Sequence, residues 1–151
     1  MTLLDANERS ISERIIYAAN GYRRALRNTH LGHEECFNEL AEVYEECRHA
    51  DWDGHGAHPV DQSTLAATYQ LIESLRPGFP RPSIGADPDG QMTLEWRSSP
   101  RRILSVSIDS AEGFLHYAGI FGPDRRRGKL AYFGGEVPPA LVQLVLDLHN
   151  A

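Results

Sequence analysis

The chain has 151 residues, 41% of them hydrophobic and 24% charged, which suits one soluble domain with a sizeable core. Its formal net charge of −6 and its short basic clusters argue against direct nucleic-acid binding, which needs a basic stripe within a recognisable motif. No apolar run reaches the roughly 18 residues of a membrane span, and Met1 to Arg9 lack the basic and apolar regions of a secretory signal, so a cytoplasmic setting is expected.

A first helix is expected where Ser10-Ile11-Ser12-Glu13 matches a capping box and Ile11, Ile15, Ala19, Tyr22 and Leu26 follow at helical spacing. Arg23, Arg24 and Arg27 sit near its end, where the macrodipole favours cations. A second helix runs from about Glu34 to Arg48, with an apolar stripe of Phe37, Leu40, Tyr44 and Cys47. The opposite face carries Glu35, Glu39, Glu42 and Glu46. From Glu34 to Asp53 eight acidic residues meet one base, Arg48. Cys36 and Cys47 lie on this helix, roughly 16 Å apart at 1.5 Å per residue. A disulfide spans Cα atoms within about 7 Å, so reduced thiols are expected.

The loop Trp52-Asp53-Gly54-His55-Gly56-Ala57-His58-Pro59 follows, with glycines and a proline that shape its backbone. Asp61 or Ser63 then caps a third helix through Leu65, Tyr69, Ile72 and Leu75, which stops at Arg76-Pro77-Gly78. A proline- and glycine-rich crossing leads to a turn, Asp87-Pro88-Asp89-Gly90. Met92, Leu94 and Trp96 alternate with polar residues, as do Leu104, Val106 and Ile108, the pattern of half-buried strands. Glu112-Gly113 turns into a strand from Phe114 to Phe121, and a fourth strand is expected over Leu130 to Phe133. Pro138-Pro139 opens a closing helix with Leu141, Leu144, Val145 and Leu148. The order predicts one α+β domain: helices over 6–76, an antiparallel meander of about four strands over 83–134, and a closing helix over 138–150.

The run Trp52 to Ala57, then Ala86-Asp87-Pro88-Asp89-Gly90, Leu94-Glu95-Trp96, Arg102 to Ser107 and Tyr117-Ala118-Gly119-Ile120-Phe121-Gly122 resembles a family of small bacterial proteins. That family carries a Trp-Asp-Gly-aromatic-Gly-Ala loop followed by an Asp-Pro-Asp-Gly meander. The resemblance spans Trp52 to Gly122, leaves out the acidic helix, and implies that loop and meander form one unit. It implies no activity. His55 stands where the family pattern has tyrosine, and tyrosine cannot replace imidazole as a base near neutral pH.

Several constellations carry chemistry in principle. His30, His33 and Cys36, spaced by threes, are metal-ligand types, as are Asp51, Asp53, His55 and His58, but the spacing matches no zinc signature. Asp53 beside His55 or His58 has the residue types of a base and its orienting carboxylate. The nucleophile candidates, Ser105, Ser107 and Cys47, sit in no strained-turn signature. Asp87, Asp89 and Gly90 lack the late glutamate of a calcium loop. Trp96 and Tyr117 read as core, and Trp52 as a plug between helices and sheet or a partner anchor. Glu95 and Arg97 are expected to pair across strands with Arg102 or Lys129. No cofactor is expected.

The leading expectation is a non-enzymatic interaction protein, antitoxin-like or inhibitor-like, of the kind a mobile element carries. It would dock a basic partner through Glu35, Glu39, Glu42 and Glu46, with Trp52, Arg125, Arg126 and Arg127 as further contact residues. The alternative is a hydrolase or metal-dependent enzyme centred on Asp53, His55 and His58.

Overall fold

A computed structural model describes residues 33–150; the helix expected from Ile11 to Leu26 lies outside the described residues. The helix α1 spans Glu34–Cys47, with Glu34 and Glu35 complementing the macrodipole in its first turn. Its stripe of Cys36, Phe37, Leu40, Tyr44 and Cys47 is buried, as the spacing requires. α2 spans Gln62–Ser74, and of its two expected caps Asp61 is the one used: its carboxylate accepts the Thr64 amide at 2.7 Å. It stops where Leu75 turns extended and Arg76-Pro77 follows.

The sheet has five antiparallel strands in sequential order: β1 Ser83–Ala86, β2 Met92–Ser99, β3 Arg102–Asp109, β4 Phe114–Phe121 and β5 Asp124–Ala131. The closing helix α3 covers Pro139–His149, with proline in its first turn. The α+β architecture is therefore as the periodicities predict, with two corrections. A short β1 precedes the four expected strands. The last strand begins six residues before Leu130, so Arg125, Arg126 and Arg127 lie inside it.

One face of the sheet is the core. Met92, Leu94 and Trp96 of β2, Leu104, Val106 and Ile108 of β3, and Leu115 and Phe121 of β4 are all buried. They line up because the register pairs Leu94 with Val106 and Trp96 with Leu104. α1 packs on β1, while α2 and α3 pack on β2 and β3. β5 lies against β4. Among the described residues no helix is long and apolar enough to cross a membrane.

Two polar clasps join the layers. Arg81 forms ion pairs with Glu35 and, at 3.3 Å, with Glu39. Glu39 also accepts the Ile84 amide at 2.9 Å and so occupies a donor of β1. At the other end Arg102 donates to the carbonyls of Leu148 (2.7 Å) and Asp147 (2.6 Å). A cation there meets the negative end of the α3 macrodipole. That clasp corrects the expected strand pairing, since Arg102 serves the helix and Glu95 pairs with Arg97 on its own strand. Arg102→Ala is expected to cost about 1–2 kcal/mol, the scale of a charge-assisted hydrogen bond at a half-buried site. Urea denaturation reads the loss, and faster amide exchange in the last turn of α3 places it.

Candidate functional site

The loop between α1 and α2 is built around its own backbone. Asp51 takes a left-handed φ of 61°, which aspartate tolerates better than most residues. Its carboxylate accepts the Gly56 amide at 2.6 Å, and its amide donates to the Ala57 carbonyl at 2.8 Å. Asp53 accepts the amides of His55 (2.8 Å) and Ala57 (3.0 Å) on one oxygen. These amides, that of His55 first, hold its carboxyl below the usual carboxylate range. The His55 ring nitrogen Nδ1 lies 2.9 Å from the carbonyl oxygen of Asp53, not from its carboxylate. His58 is exposed. Asp53 thus organises the loop backbone, and the His55 ring of the alternative base-and-carboxylate pair lies against the Asp53 carbonyl.

Trp52 is half-buried against the core, and its indole N–H donates to the His58 carbonyl at 2.8 Å. Its place is that of the plug, with its one polar atom already bonded. The loop is also fastened to the sheet. The His58 amide donates to the Pro88 carbonyl at 2.8 Å, and a Cβ added at Gly90 (φ +91°) would stand 2.9 Å from the Pro59 carbonyl oxygen. The loop and the turn, 30 positions apart at His58 and Pro88, are thus one packed unit.

Among the described residues the metal candidates do not converge. His33 is buried with Nε2 at 2.5 Å from the Leu75 carbonyl, and the Cys36 thiol points at the Pro82 carbonyl. Burial pushes the Cys36 thiol up from its ordinary value. His30 lies outside the described residues. Among the described residues no group of three metal-ligand side chains forms. Of the nucleophile candidates, Cys47 is buried and Ser107 bonds Asp87 at 3.4 Å. Asp87 and Asp89 accept within their own turn or strand neighbourhood, Asp89 taking the Gln91 amide at 3.1 Å.

The charged surfaces divide. On α1, Glu35 and Glu39 are held by Arg81, while Glu42 and Glu46 stay exposed. On β5, Arg126 stacks over the Phe121 ring at 4.3 Å and pairs with Asp147 at 3.1 Å. Arg125 and Arg127 project from the other side of the strand. The register sets three rows across that outer face: Arg97, Ile103, Ile120 and Arg125; Glu95, Ser105, Ala118 and Arg127; Thr93, Ser107, His116 and Lys129. Each row ends in a β5 cation. Sequence reasoning missed this face, because it read the arginines as a cluster and not as alternate residues of a strand. Comparison with family models, curated proteins and solved structures gives no match.

Two substitutions separate shaping from chemistry. Gly90→Ala is expected to destabilise by about 1–3 kcal/mol, the scale of a strained left-handed backbone position, whereas His55→Tyr leaves the thermal midpoint unchanged. Asp53→Asn lowers the midpoint at neutral pH. Because the folded carboxyl titrates below its unfolded value, Asp53 contributes fully above the unfolded value and loses that contribution as pH falls through the folded one. The deficit of Asp53→Asn relative to the parent chain therefore shrinks in acid, as melting curves across the pH series will show.

Proposed function

We propose that the chain is a non-enzymatic protein-interaction module, antitoxin-like or inhibitor-like, that works in the cytoplasm by masking an acidic segment of a partner protein. The observation that carries this reading is the outer face of β4 and β5. Ile103, Ala118 and Ile120 lie beside Arg125, Arg126 and Arg127 and line an open hollow of about 500 Å³. Ile120 is 39% exposed, a large apolar side chain kept at the surface. An apolar floor with a cationic wall suits a partner that offers an apolar anchor among carboxylates. Complementary charge of this kind speeds encounter and selects the partner.

The acidic helix supports a docking role less well. Half of its glutamate row is tied to Arg81, and Glu39 serves the β1 backbone as well. The loop supports binding over catalysis for the same kind of reason, since Asp53 is engaged by backbone amides.

The test is a partner isolated from the native host and titrated against variants of known fold. Arg125→Glu with Arg127→Glu is expected to weaken binding at least roughly tenfold, or about 1.4 kcal/mol. Binding to the parent chain also weakens as salt rises, as exposed ion pairs are screened. Glu42→Lys with Glu46→Lys leaves the affinity within about twofold. The reverse pattern would move the docking surface to α1 and reject the arginine face.

A further inference from the structure

Hydrogen bonds at the two ends of the β4–β5 hairpin fix which way the β5 backbone faces. The Tyr132 amide donates to the Gly113 carbonyl at 2.9 Å, and the register sets Ala131 opposite Phe114. A bond from the residue after one partner to the residue before the other marks Ala131 and Phe114 as a non-hydrogen-bonded pair. Backbone groups alternate along a strand. Asp124, Arg126, Gly128 and Leu130 therefore bond β4, and Arg125, Arg127 and Lys129 turn their amides and carbonyls to the open side. The other end agrees. Gly122 donates to the Arg101 carbonyl at 2.9 Å, just beyond the pair of Arg102 with Phe121, which turns the Phe121 backbone towards Asp124. Among the described residues β5 has no second neighbour, and those outward amides have no partner.

The side chains alternate in the same phase. The residues with outward backbone groups are the ones whose cations stand on the outer face: Arg125, Arg127 and Lys129, all exposed. Beside them on β4, His116, Ala118 and Ile120 bring no carboxylate. Among the described residues the acidic groups that reach these rows are already engaged: Glu95 by Arg97, Asp87 by Ser107 and Glu112 by His116. A second β5 laid along this edge would set cation against cation, and like charges directly opposite destabilise a strand pair. A strand with carboxylates opposite the three cations gains twice, because the same positions supply the backbone bonds and the charge pairs.

We infer that β5 takes an extended acidic segment of the partner as an added antiparallel strand, with carboxylates at alternate positions opposite Arg125, Arg127 and Lys129. The inference rests on the reading that the arginine face docks an acidic partner, and it adds the conformation in which that segment binds. Antiparallel addition places the acidic residues in the hydrogen-bonded pairs of the new ladder. Their own amides then point at β5, while those of the residues between them point away.

A capped peptide of about six residues, alternating glutamate with valine, is the probe, a length typical of one strand. Binding is expected to slow exchange of the Arg125, Arg127 and Lys129 amides and to leave those of Arg126 and Gly128 unchanged. Methylating the glutamate amides weakens binding at least roughly tenfold, whereas methylating the valine amides changes it by no more than about twofold. A lysine–valine peptide does not bind. A larger loss from valine methylation would make the added strand parallel and reject the assignment. Equal binding of a peptide with its glutamates in one block would mean charge attraction without strand pairing, and would overturn the inference. So would failure of the alternating peptide to bind. The docking role of the arginine face is decided separately, and falls if a host partner binds Arg125→Glu with Arg127→Glu as tightly as the parent chain.

Discussion

The rest of the structure depends on how the ten-residue passage from Asp51 to Val60 is pinned between the helices and the first turn of the meander. Backbone amides and carbonyls that leave water must find partners, and this passage finds them in three directions. Val60 donates back to the Cys47 carbonyl at the end of α1 (2.9 Å), and His58 donates to Pro88 (2.8 Å). The Asp51 and Asp53 carboxylates take up the amides between. Ala57 is buried where the passage meets the core. One residue further on, Asp61 caps α2. The orientation of α2 relative to α1 and the seating of both on the sheet follow from these bonds. Gly90 is required there because the Pro59 carbonyl occupies the space of a side chain.

That constraint also distributes the charge. α1 packs on β1 at one edge of the sheet, and β5 forms the other edge. The acidic helix and the arginine strand are therefore held at opposite ends of the strand order and cannot neutralise one another. Each is partly neutralised locally instead: Glu35 and Glu39 by Arg81, Glu45 by Arg48, and Arg126 by Asp147. The β1 edge is closed by Glu39, which accepts from Ile84. The β5 edge is longer, carries cations, and has no such closure among the described residues. Charged residues on an edge discourage pairing with like edges, and two arginine-rich strands laid side by side would repel.

Much of the fold was legible because burial imposes a period. Met92, Leu94 and Trp96 alternate for the same reason that they pair with Ile108, Val106 and Leu104: one face is dry. Phe37, Leu40 and Tyr44 recur at helical spacing because α1 has one dry side. β1 and β5 escaped that reading for a common reason. Ser83-Ile84-Gly85-Ala86 has one strong apolar residue, and Asp124 to Ala131 is polar or small up to Leu130. Such strands are specified by their partner strand and not by their own pattern. Arg81 lies 46 positions from Glu35 and 42 from Glu39, and no local spacing rule connects them. The loop misled in a different way. Carboxylates and imidazoles close together have the same composition whether they face a substrate or their own backbone, and only hydrogen-bond partners distinguish the two.

Those partners also separate the side chains that the fold accounts for from those that it does not. Asp51, Asp53, Glu39, Arg81, Arg102 and Arg126 each hold a backbone group or an opposite charge across elements. Replacing any of them disturbs the architecture first. Among the described residues Arg125 and Arg127 hold nothing of this kind, and Ile103 and Ile120 share their outer face. β5 is held, among the described residues, chiefly by its ladder to β4, with Leu130 packed against the core and Arg126 over the Phe121 ring. With polar and small residues up to Leu130, β5 has little apolar surface of its own to bury, so its eight residues are placed by register against β4.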